Sequence, residues 1–246
     1  KSVKVAAIIE ARMASSRLPG KVLLPVLSLP MLGRLIIRLK SIGLFDQIIV
    51  ATSENFEDSL VTETAIKYGA EVYRGSESDV LGRVLDAAKQ FNVDLIVEIT
   101  GDCPIIDPLI VTSIIKSYLK SDADYVSNSN IRSYPDGMDV QVYKTKVLEH
   151  SSVLAHSPLE REHVTLHIRQ NPNLYKILDI LAPMELYNPS LGLTLDTIED
   201  FNLLTTIIEN LEPKKFLFSL KETLEFLDTN KRFLEINSNV VRKGDS

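Results

Sequence analysis

Short apolar runs alternate with stretches of helical periodicity along the first half of the chain. The runs at residues 3–9, 47–51, 71–73 and 95–100 have the length and β-branched content of buried strands. Apolar positions recur at helical spacing in residues 31–41, 58–68, 79–91 and 107–120. This alternation predicts an α/β fold with a doubly wound, mostly parallel sheet covered by helices on both faces, in three layers.

The second half of the chain has a less regular pattern. Further strands are predicted at residues 125–129, 139–143, 175–181 and 191–195, and helices at 146–155, 160–170, 198–210 and 223–233. We expect these strands to extend the same sheet as antiparallel additions, which makes it a mixed sheet. The prediction is a single domain over residues 1–212, with an insertion at about 125–190, followed by a helical C-terminal extension at 213–246.

Residues 10–21, here called the cationic loop, connect the first predicted strand to the first predicted helix. They read Glu-Ala-Arg-Met-Ala-Ser-Ser-Arg-Leu-Pro-Gly-Lys and carry the cations Arg12, Arg17 and Lys21. Arginine makes planar, bidentate contacts to phosphate oxygens, and lysine supplies a compact charge. In open α/β sheets ligands bind at the carboxyl ends of strands, where this loop lies. Neither G-x-x-x-x-G-K-[ST] nor G-x-G-x-x-G occurs, so the loop is not a standard nucleotide motif.

Composition narrows the class of ligand and the compartment. The formal net charge is −6, from 27 Lys and Arg against 33 Asp and Glu, which argues against nucleic acid as the main partner. An acidic chain with one basic loop suits a small polyanion. No apolar run approaches the roughly 20 residues of a membrane span, so no membrane association is expected. The one cysteine, Cys103, suits a reducing cytoplasm, the expected location.

Two aspartates are candidates for the same rim of the sheet. Asp102 directly follows a buried strand, and Asp196 follows a short predicted one. Carboxylates are suitable ligands for Mg²⁺, which also takes phosphate oxygens and water. The alternatives are a turn aspartate at Asp102 and a helix-capping role for Asp196 or Thr197. The cationic loop and the two carboxylates together indicate metal-dependent handling of a ligand that carries phosphate.

The cationic loop resembles the phosphate-binding signature of cytidylyltransferases that activate sugar acids, A-R-x-x-S-x-R-[LF]-P-x-K. The matching positions are Ala11, Arg12, Ser15, Arg17, Leu18, Pro19 and Lys21. Thr-Gly-Asp-Cys-Pro around Asp102 and Leu-Asp-Thr-Ile-Glu-Asp around Asp196 resemble two further segments of that superfamily. The chain is most similar to the spore coat polysaccharide biosynthesis protein F branch, and less so to acylneuraminate and 3-deoxy-manno-octulosonate cytidylyltransferases. The resemblance covers about residues 3–204.

The resemblance implies a nucleotide-diphospho-sugar transferase-like fold and transfer of a cytidylyl group from CTP to an acidic sugar with Mg²⁺ as cofactor. It makes Arg12, Lys21 and Asp102 the catalytic residues and Asp102 and Asp196 the metal ligands. The nucleotide-binding residues would be Ala11, Arg12, Ser15, Arg17, Lys21, Thr52, Gly75, Ser76 and Asp102. The sugar-binding residues would be Arg132, Asp136, Asp139, Arg161, Glu162 and His163, with Arg161 or Arg132 on the sugar's carboxylate.

Other functions stay open at this point. A glycosyltransferase of the same architecture would need a D-x-D motif after a strand, and Asp122-Ala123-Asp124 precedes one, so we interpret it as a solvated turn. A non-catalytic nucleotide-binding protein is the third candidate. His163 and His167 are four residues apart on one predicted helix, a spacing that more often belongs to packed or surface histidines than to a zinc site. Several members of the superfamily are dimers, which leaves a homodimer open.

Overall fold

The structure, a computed structural model, describes residues 2–243. Within that range the strands are β1 (Val5–Glu10), β2 (Pro25–Val26), β3 (Leu29–Pro30), β4 (Gln47–Ser53), β5 (Glu71–Gly75), β6 (Leu95–Thr100), β7 (Tyr125–Ser127), β8 (Gln141–Lys144) and β9 (Ile177–Asp179). The α-helices are α1 (Met31–Lys40), α2 (Ser59–Lys67), α3 (Val80–Gln90), α4 (Pro108–Leu119), α5 (Thr145–Leu154), α6 (Pro158–Glu162), α7 (Leu166–Gln170), α8 (Ile198–Leu211) and α9 (Leu220–Thr229).

Seven strands form one mixed sheet in the order β5-β4-β1-β6-β8-β7-β9. The four strands of the first half are parallel to one another. β8 is antiparallel to both of its neighbours, β6 and β7, whereas β9 is parallel to β7. The predicted mostly parallel, mixed sheet is therefore confirmed. The expectation that all added strands are antiparallel is wrong, because β7 and β9 run in the same direction as the first four strands. The short hairpin of β2 and β3 forms a separate sheet and was not predicted.

Two hydrophobic cores, one on each face of the sheet, explain the three layers. Side chains of a strand point to alternate faces, so Ala7 and Ile9 of β1 lie in one core and Ala6 and Ile8 in the other. The first core also contains the buried sides of α1, α4 and α8, and the second contains those of α3 and α5. Burial on both faces accounts for the continuous apolar sequences of β1 and β6.

Two predicted elements differ from the structure. Residues 191–195 form no strand; they make one isolated bridge between Gly192 and Asp136, because their amides bond to the Asp102 and Asp136 carbonyls. The single helix predicted at 160–170 is instead α6 and α7. The backbone between them turns at Val164, whose φ is 31°. The prediction that His163 and His167 share one helix face is therefore wrong.

The chain beyond α8 packs back onto the sheet's first core. Arg34 and Arg38 of α1 are both fully buried. Arg34 pairs with Glu212, and Arg38 donates hydrogen bonds to the Phe216 and Phe218 carbonyls at 3.0 and 2.5 Å. These contacts fix residues 212–218 against α1. Within residues 2–243, no helix has the length and apolar character needed to cross a bilayer.

Candidate active site

The carboxyl ends of β1 and β6 open into a cleft of about 840 Å³. The cationic loop follows β1, and Gly101-Asp102 follows β6, its parallel neighbour. The Gly101 amide donates to the Glu10 carbonyl at 2.8 Å, and a Cβ at Gly101 would lie 2.8 Å from that same oxygen. Glycine is therefore required for the close approach of the two segments. Predicted residues that line the cleft are Ala11, Arg12, Ser15, Lys21, Asp102, Glu162, His163 and Asp196.

Backbone and side-chain contacts hold the cationic loop in shape. The Met13 amide donates to Asp58 at 2.7 Å, and the Gly20 amide donates to the Met13 carbonyl at 2.8 Å. Gly20 has a φ of 72°, a conformation that glycine adopts without strain. The Ser15 hydroxyl accepts from the Leu18 amide at 3.4 Å, so this predicted nucleotide-binding residue also closes a turn within the loop.

Asp196 lies against the cations of the loop. Its carboxylate is 2.7 Å from Arg17 Nη2 and 3.5 Å from Lys21 Nζ. The capping box of α8, formed by Thr197 and Asp200, places Asp196 just before the helix. Both sequence interpretations are therefore met: Thr197 caps the helix while the Asp196 side chain lines the cleft. The third loop cation, Arg12, lies 3.3 Å from Glu77.

Asp102 is joined to the segment that carries Asp196. Its carbonyl accepts from the Leu195 amide at 2.8 Å and from the Thr194 hydroxyl at 3.0 Å, while its carboxylate accepts from the Thr100 hydroxyl at 2.5 Å. Among the described residues, no group of three or more acidic, histidine or cysteine side chains could by itself hold a metal. Two carboxylates on one cleft are nevertheless a suitable partial set for a cation whose remaining ligands come from phosphate and water.

A smaller cavity of about 150 Å³ adjoins the cleft on the side of β8. Glu162 and His163 line both spaces, and Asp139 lines the smaller one. His163 ends α6 directly before the turn at Val164, so the break in the predicted helix is what brings it to this position. Glu10 and Thr100 line both spaces as well, so the two spaces meet along these four residues.

The two arginines predicted to bind an acidic sugar already pair with carboxylates of the protein. Arg132 makes bonds of 2.5 and 2.9 Å to Asp139 and lies 3.6 Å from Asp136. Arg161 makes bonds of 2.8 and 2.9 Å to Asp79. Burial, followed by repulsion from Asp139, raises the pKa of Asp136 to about 7 despite the opposing effect of Arg132.

Four residues predicted to bind the nucleotide are not among those that line the cleft. Arg17 lines a separate pocket with Thr197 and Glu199, although it pairs with Asp196. Thr52 is fully buried in β4, and Gly75 ends β5. The Ser76 hydroxyl accepts from the Asp79 amide at 3.1 Å. On this side the cleft is lined instead by Glu77, Val80 and Arg83.

Glu10 and Lys243 also line the cleft, and no sequence pattern assigned a role to either of them. Glu10 is the last residue of β1, and burial, followed by repulsion from Glu98 of β6, raises its pKa well above the ordinary value. A carboxylate at the end of an apolar strand was the available signal for Glu10. Lys243 lies about 230 positions along the chain from Ser16, whose hydroxyl it contacts at 2.9 Å, so no local pattern indicates it.

A family model described as cytidylyltransferase matches residues 6–239. The chain belongs to the cytidylyltransferase family. A cytidylyltransferase structure from Leptospira borgpetersenii superposes with a TM-score of 0.90 at 33% identity and covers 99% of this chain and 100% of that one. Family membership identifies the chain as a nucleotidyltransferase, and the resemblance drawn from the cationic loop is confirmed.

Other relatives differ in their sequence identity to this cytidylyltransferase family member and in how much of the chain they cover. An uncharacterized protein of Methanocaldococcus jannaschii is 37% identical over 241 residues, covering 98% of this chain and 97% of its own. The spore coat polysaccharide biosynthesis protein SpsF of Bacillus subtilis is 34% identical over 207 residues, 82% of this chain and 85% of its own. A CMP:2-keto-3-deoxy-manno-octonic acid synthetase structure, 19% identical with a TM-score of 0.62 over 84% of this chain and 98% of its own, shares the fold.

Proposed function

We propose that the chain transfers a cytidylyl group from CTP to a 2-keto sugar acid, releasing pyrophosphate and forming a CMP-sugar for surface polysaccharide. The observation that carries the proposal is the shared cleft, where the cationic loop faces Asp102 and Asp196. The spore coat polysaccharide biosynthesis protein supports the polysaccharide context. A 3-deoxy-manno-octulosonate cytidylyltransferase of Geobacter metallireducens, 33% identical over 58% of this chain and 56% of its own, supports the acceptor class.

The loop cations would bind the triphosphate and stabilise the charge that develops on the leaving pyrophosphate. Such transfer depends chiefly on positioning the reactants and neutralising charge. Without ligand, Arg17 and Lys21 pair with Asp196, and Arg12 pairs with Glu77. Phosphate oxygens would therefore replace protein carboxylates as partners of these cations. Arg12 and Lys21 line the cleft already, and Arg17 would reach it from beside Asp196.

Asp102 and Asp196 would hold Mg²⁺, because both carboxylates line the cleft. The hydrogen bond from the Leu195 amide to the Asp102 carbonyl keeps the two residues close, since Leu195 directly precedes Asp196. A bound Mg²⁺ supplies charge neutralisation at the phosphates. Asp196 would exchange its two cationic partners for the metal when the triphosphate takes over Arg17 and Lys21. Because both exchanges involve the same residues, we expect nucleotide and metal to bind together.

The acceptor would occupy the smaller cavity, whose junction with the cleft at Glu162 and His163 is where an acceptor hydroxyl can meet the α-phosphorus. Arg132 and Arg161 are engaged by Asp139 and Asp79. Arg169, which donates to the Thr165 hydroxyl at 3.1 Å, lines this cavity, and we propose that it contributes positive charge beside the carboxylate of an acidic acceptor. Arg132 would then shape the pocket by holding Asp139 in place.

The decisive experiment measures pyrophosphate release from CTP, and from UTP in parallel, against a panel of 2-keto sugar acids with Mg²⁺ or EDTA. Release with CTP and one acid, abolished by EDTA, is the expected result. Release with a nucleotide sugar as donor and none with CTP would favour the glycosyltransferase. CTP binding without turnover on any acceptor would favour the non-catalytic alternative.

Asp102→Asn and Asp122→Asn form a matched pair for this assay. Asp102→Asn should abolish turnover, because it removes a carboxylate from the cleft while keeping its size, and the melting temperature should be unchanged. Asp122 belongs to the D-x-D sequence but is exposed and pairs with Lys176 at 2.6 Å, so its replacement should leave turnover intact. Full turnover in Asp102→Asn, or loss in Asp122→Asn, would contradict the assignment.

A further inference from the structure

Residues 236–243, here called the C-terminal strap, return to the cleft after α9. Asn237, only 5% exposed, donates hydrogen bonds of 2.9 Å to the Gly192 carbonyl and to Asp200. Arg242 makes two bonds of 2.7 Å to the same Asp200 carboxylate, which is fully buried. Paired, bidentate contacts of this kind fix both distance and direction. The strap is therefore anchored at the start of α8, beside Asp196.

The strap also contacts the cationic loop directly. Arg17 donates to the Val241 carbonyl at 2.8 Å while its other terminal nitrogen pairs with Asp196. Lys243 donates to the Ser16 hydroxyl at 2.9 Å, and its side chain lines the same cleft as Lys21 and Asp102. A further cation thus reaches the cleft from the opposite end of the sequence.

The partners of Lys243 distinguish it from the cations of the loop. Arg12, Arg17 and Lys21 each lie within 3.5 Å of a carboxylate. Within residues 2–243, Lys243 has a neutral hydroxyl as its hydrogen-bond partner and no ion pair. No described carboxylate therefore holds Lys243 in an ion pair, and its ammonium group is available to a polyanion in the cleft. The family model ends at residue 239, so this cation lies outside the matched range.

We propose that Lys243 is a triphosphate-binding residue of the cleft and that Arg242 positions it by clamping Asp200. The inference deepens the proposed function and rests on it, since it requires a nucleoside triphosphate in the cleft. Lysine suits the role because its flexible stem lets a compact charge follow the phosphate oxygens. The exchange costs little, because the phosphate replaces one hydrogen bond to a serine.

The test is isothermal titration of the full chain and of Lys243→Gln with CTP, inorganic tripolyphosphate and cytidine. Loss of one charged phosphate contact should raise the Kd for CTP and for tripolyphosphate by about three- to tenfold. The affinity for cytidine, which carries no phosphate, should not change. Lys243→Arg should keep most of the affinity. The matched control is Lys221→Gln, which makes the same change of charge at an exposed position of α9. This variant should bind CTP like the native chain.

The outcomes separate this inference from the proposed function. If the native chain does not bind CTP, the proposed function fails and the inference fails with it. If the native chain binds CTP and Lys243→Gln binds it equally well, only the inference is overturned. The inference is also overturned if Lys221→Gln weakens CTP binding as much as Lys243→Gln does, because the loss of affinity would then follow from the net charge of the chain.

Arg242→Gln tests the positioning role. It should raise the KM for CTP about as much as Lys243→Gln does, leave kcat near the native value, and add nothing when the two changes are combined. Arg242→Lys should restore part of the affinity. A residue that only stabilised the fold would lower the melting temperature without this selective change in KM, and additive effects in the double variant would likewise contradict the mechanism.

Discussion

The Asp200 carboxylate joins the start of α8 to the C-terminal strap, so Asp200→Asn tests how strongly that junction holds. One oxygen accepts from the Asp196 and Thr197 amides at 3.1 Å and from Arg242 at 2.7 Å. The other accepts from Asn237 at 2.9 Å and from Arg242 at 2.7 Å. Asparagine keeps the size of the side chain but replaces one of these acceptors with a donor.

The magnitude follows from the donors that lose their acceptor. With the amide oxygen facing the helix, the amide nitrogen meets Asn237 and one nitrogen of Arg242, two donors in a site with no exposed carboxylate surface. Each buried donor left unpaired costs about 1–3 kcal/mol, and more when it is charged. We therefore expect a loss of about 3–5 kcal/mol in the free energy of unfolding, which for a chain of this size lowers the melting temperature by roughly 10 °C.

Urea unfolding of both proteins at several pH values provides the assay. Burial raises the pKa of Asp200, but the hydrogen bonds from Arg242 and Asn237 outweigh it, and the pKa is lowered. The stabilisation is therefore full above the unfolded pKa of about 4 and is lost as the pH falls through the lower folded value. The difference between the two proteins should shrink in acid. A difference below about 1 kcal/mol at pH 7, or one that does not change with pH, would refute the reasoning.

Two further predictions concern stability. Arg38→Leu should lower the free energy of unfolding, measured in urea, by about 4 kcal/mol, because the Ile106, Phe216 and Phe218 carbonyls lose their donor. As the control, Arg232→Leu at an exposed position should change it by no more than about 0.5 kcal/mol, and equal losses in the two variants would contradict this account. Burial and repulsion from Asp139 raise the pKa of Asp136 to about 7 in the folded chain. The folded chain therefore keeps a proton that the unfolded chain releases near pH 4, and the free energy of unfolding falls as the pH rises between about 4 and 7. Asp136→Asn should flatten this slope in unfolding curves, and an unchanged slope would exclude Asp136 as its source.

Local sequence patterns were enough to predict the strands of the sheet and the positions of the loops that follow them. β1 and β6 are continuous apolar sequences, each followed by a polar segment, and parallel neighbours end at the same rim. The pattern could therefore place Arg12, Lys21 and Asp102 on one cleft without any knowledge of contacts. The antiparallel strand β8 also followed from its alternating sequence, although it begins at Gln141 and not at Asp139.

The partners of the charged residues could not be predicted in the same way. Arg161 finds Asp79 across 82 residues, and Arg17 finds the Val241 carbonyl across 224. Such pairs depend on the finished fold, so an arginine that looks available to a substrate in the sequence is engaged in the structure. The positive φ at Val164 is similarly hidden, because a β-branched residue rarely adopts it and a helix was the better local expectation.

The buried guanidinium groups of α1 also set an order of events during synthesis. Helix α1 is made early, and part of the hydrogen bonding of Arg34 and Arg38 comes from the Val26, Leu29 and Ile106 carbonyls. Their remaining acceptors lie in residues 212–218, which leave the ribosome about 180 residues later. Until then the nitrogens that lack those acceptors are best satisfied by water, because an unpaired charge in the core is strongly unfavourable. We therefore expect the face of the sheet that α1 covers to close fully only after residue 218 is made, and a nascent chain that ends before it to keep part of that face open to water and to chaperones.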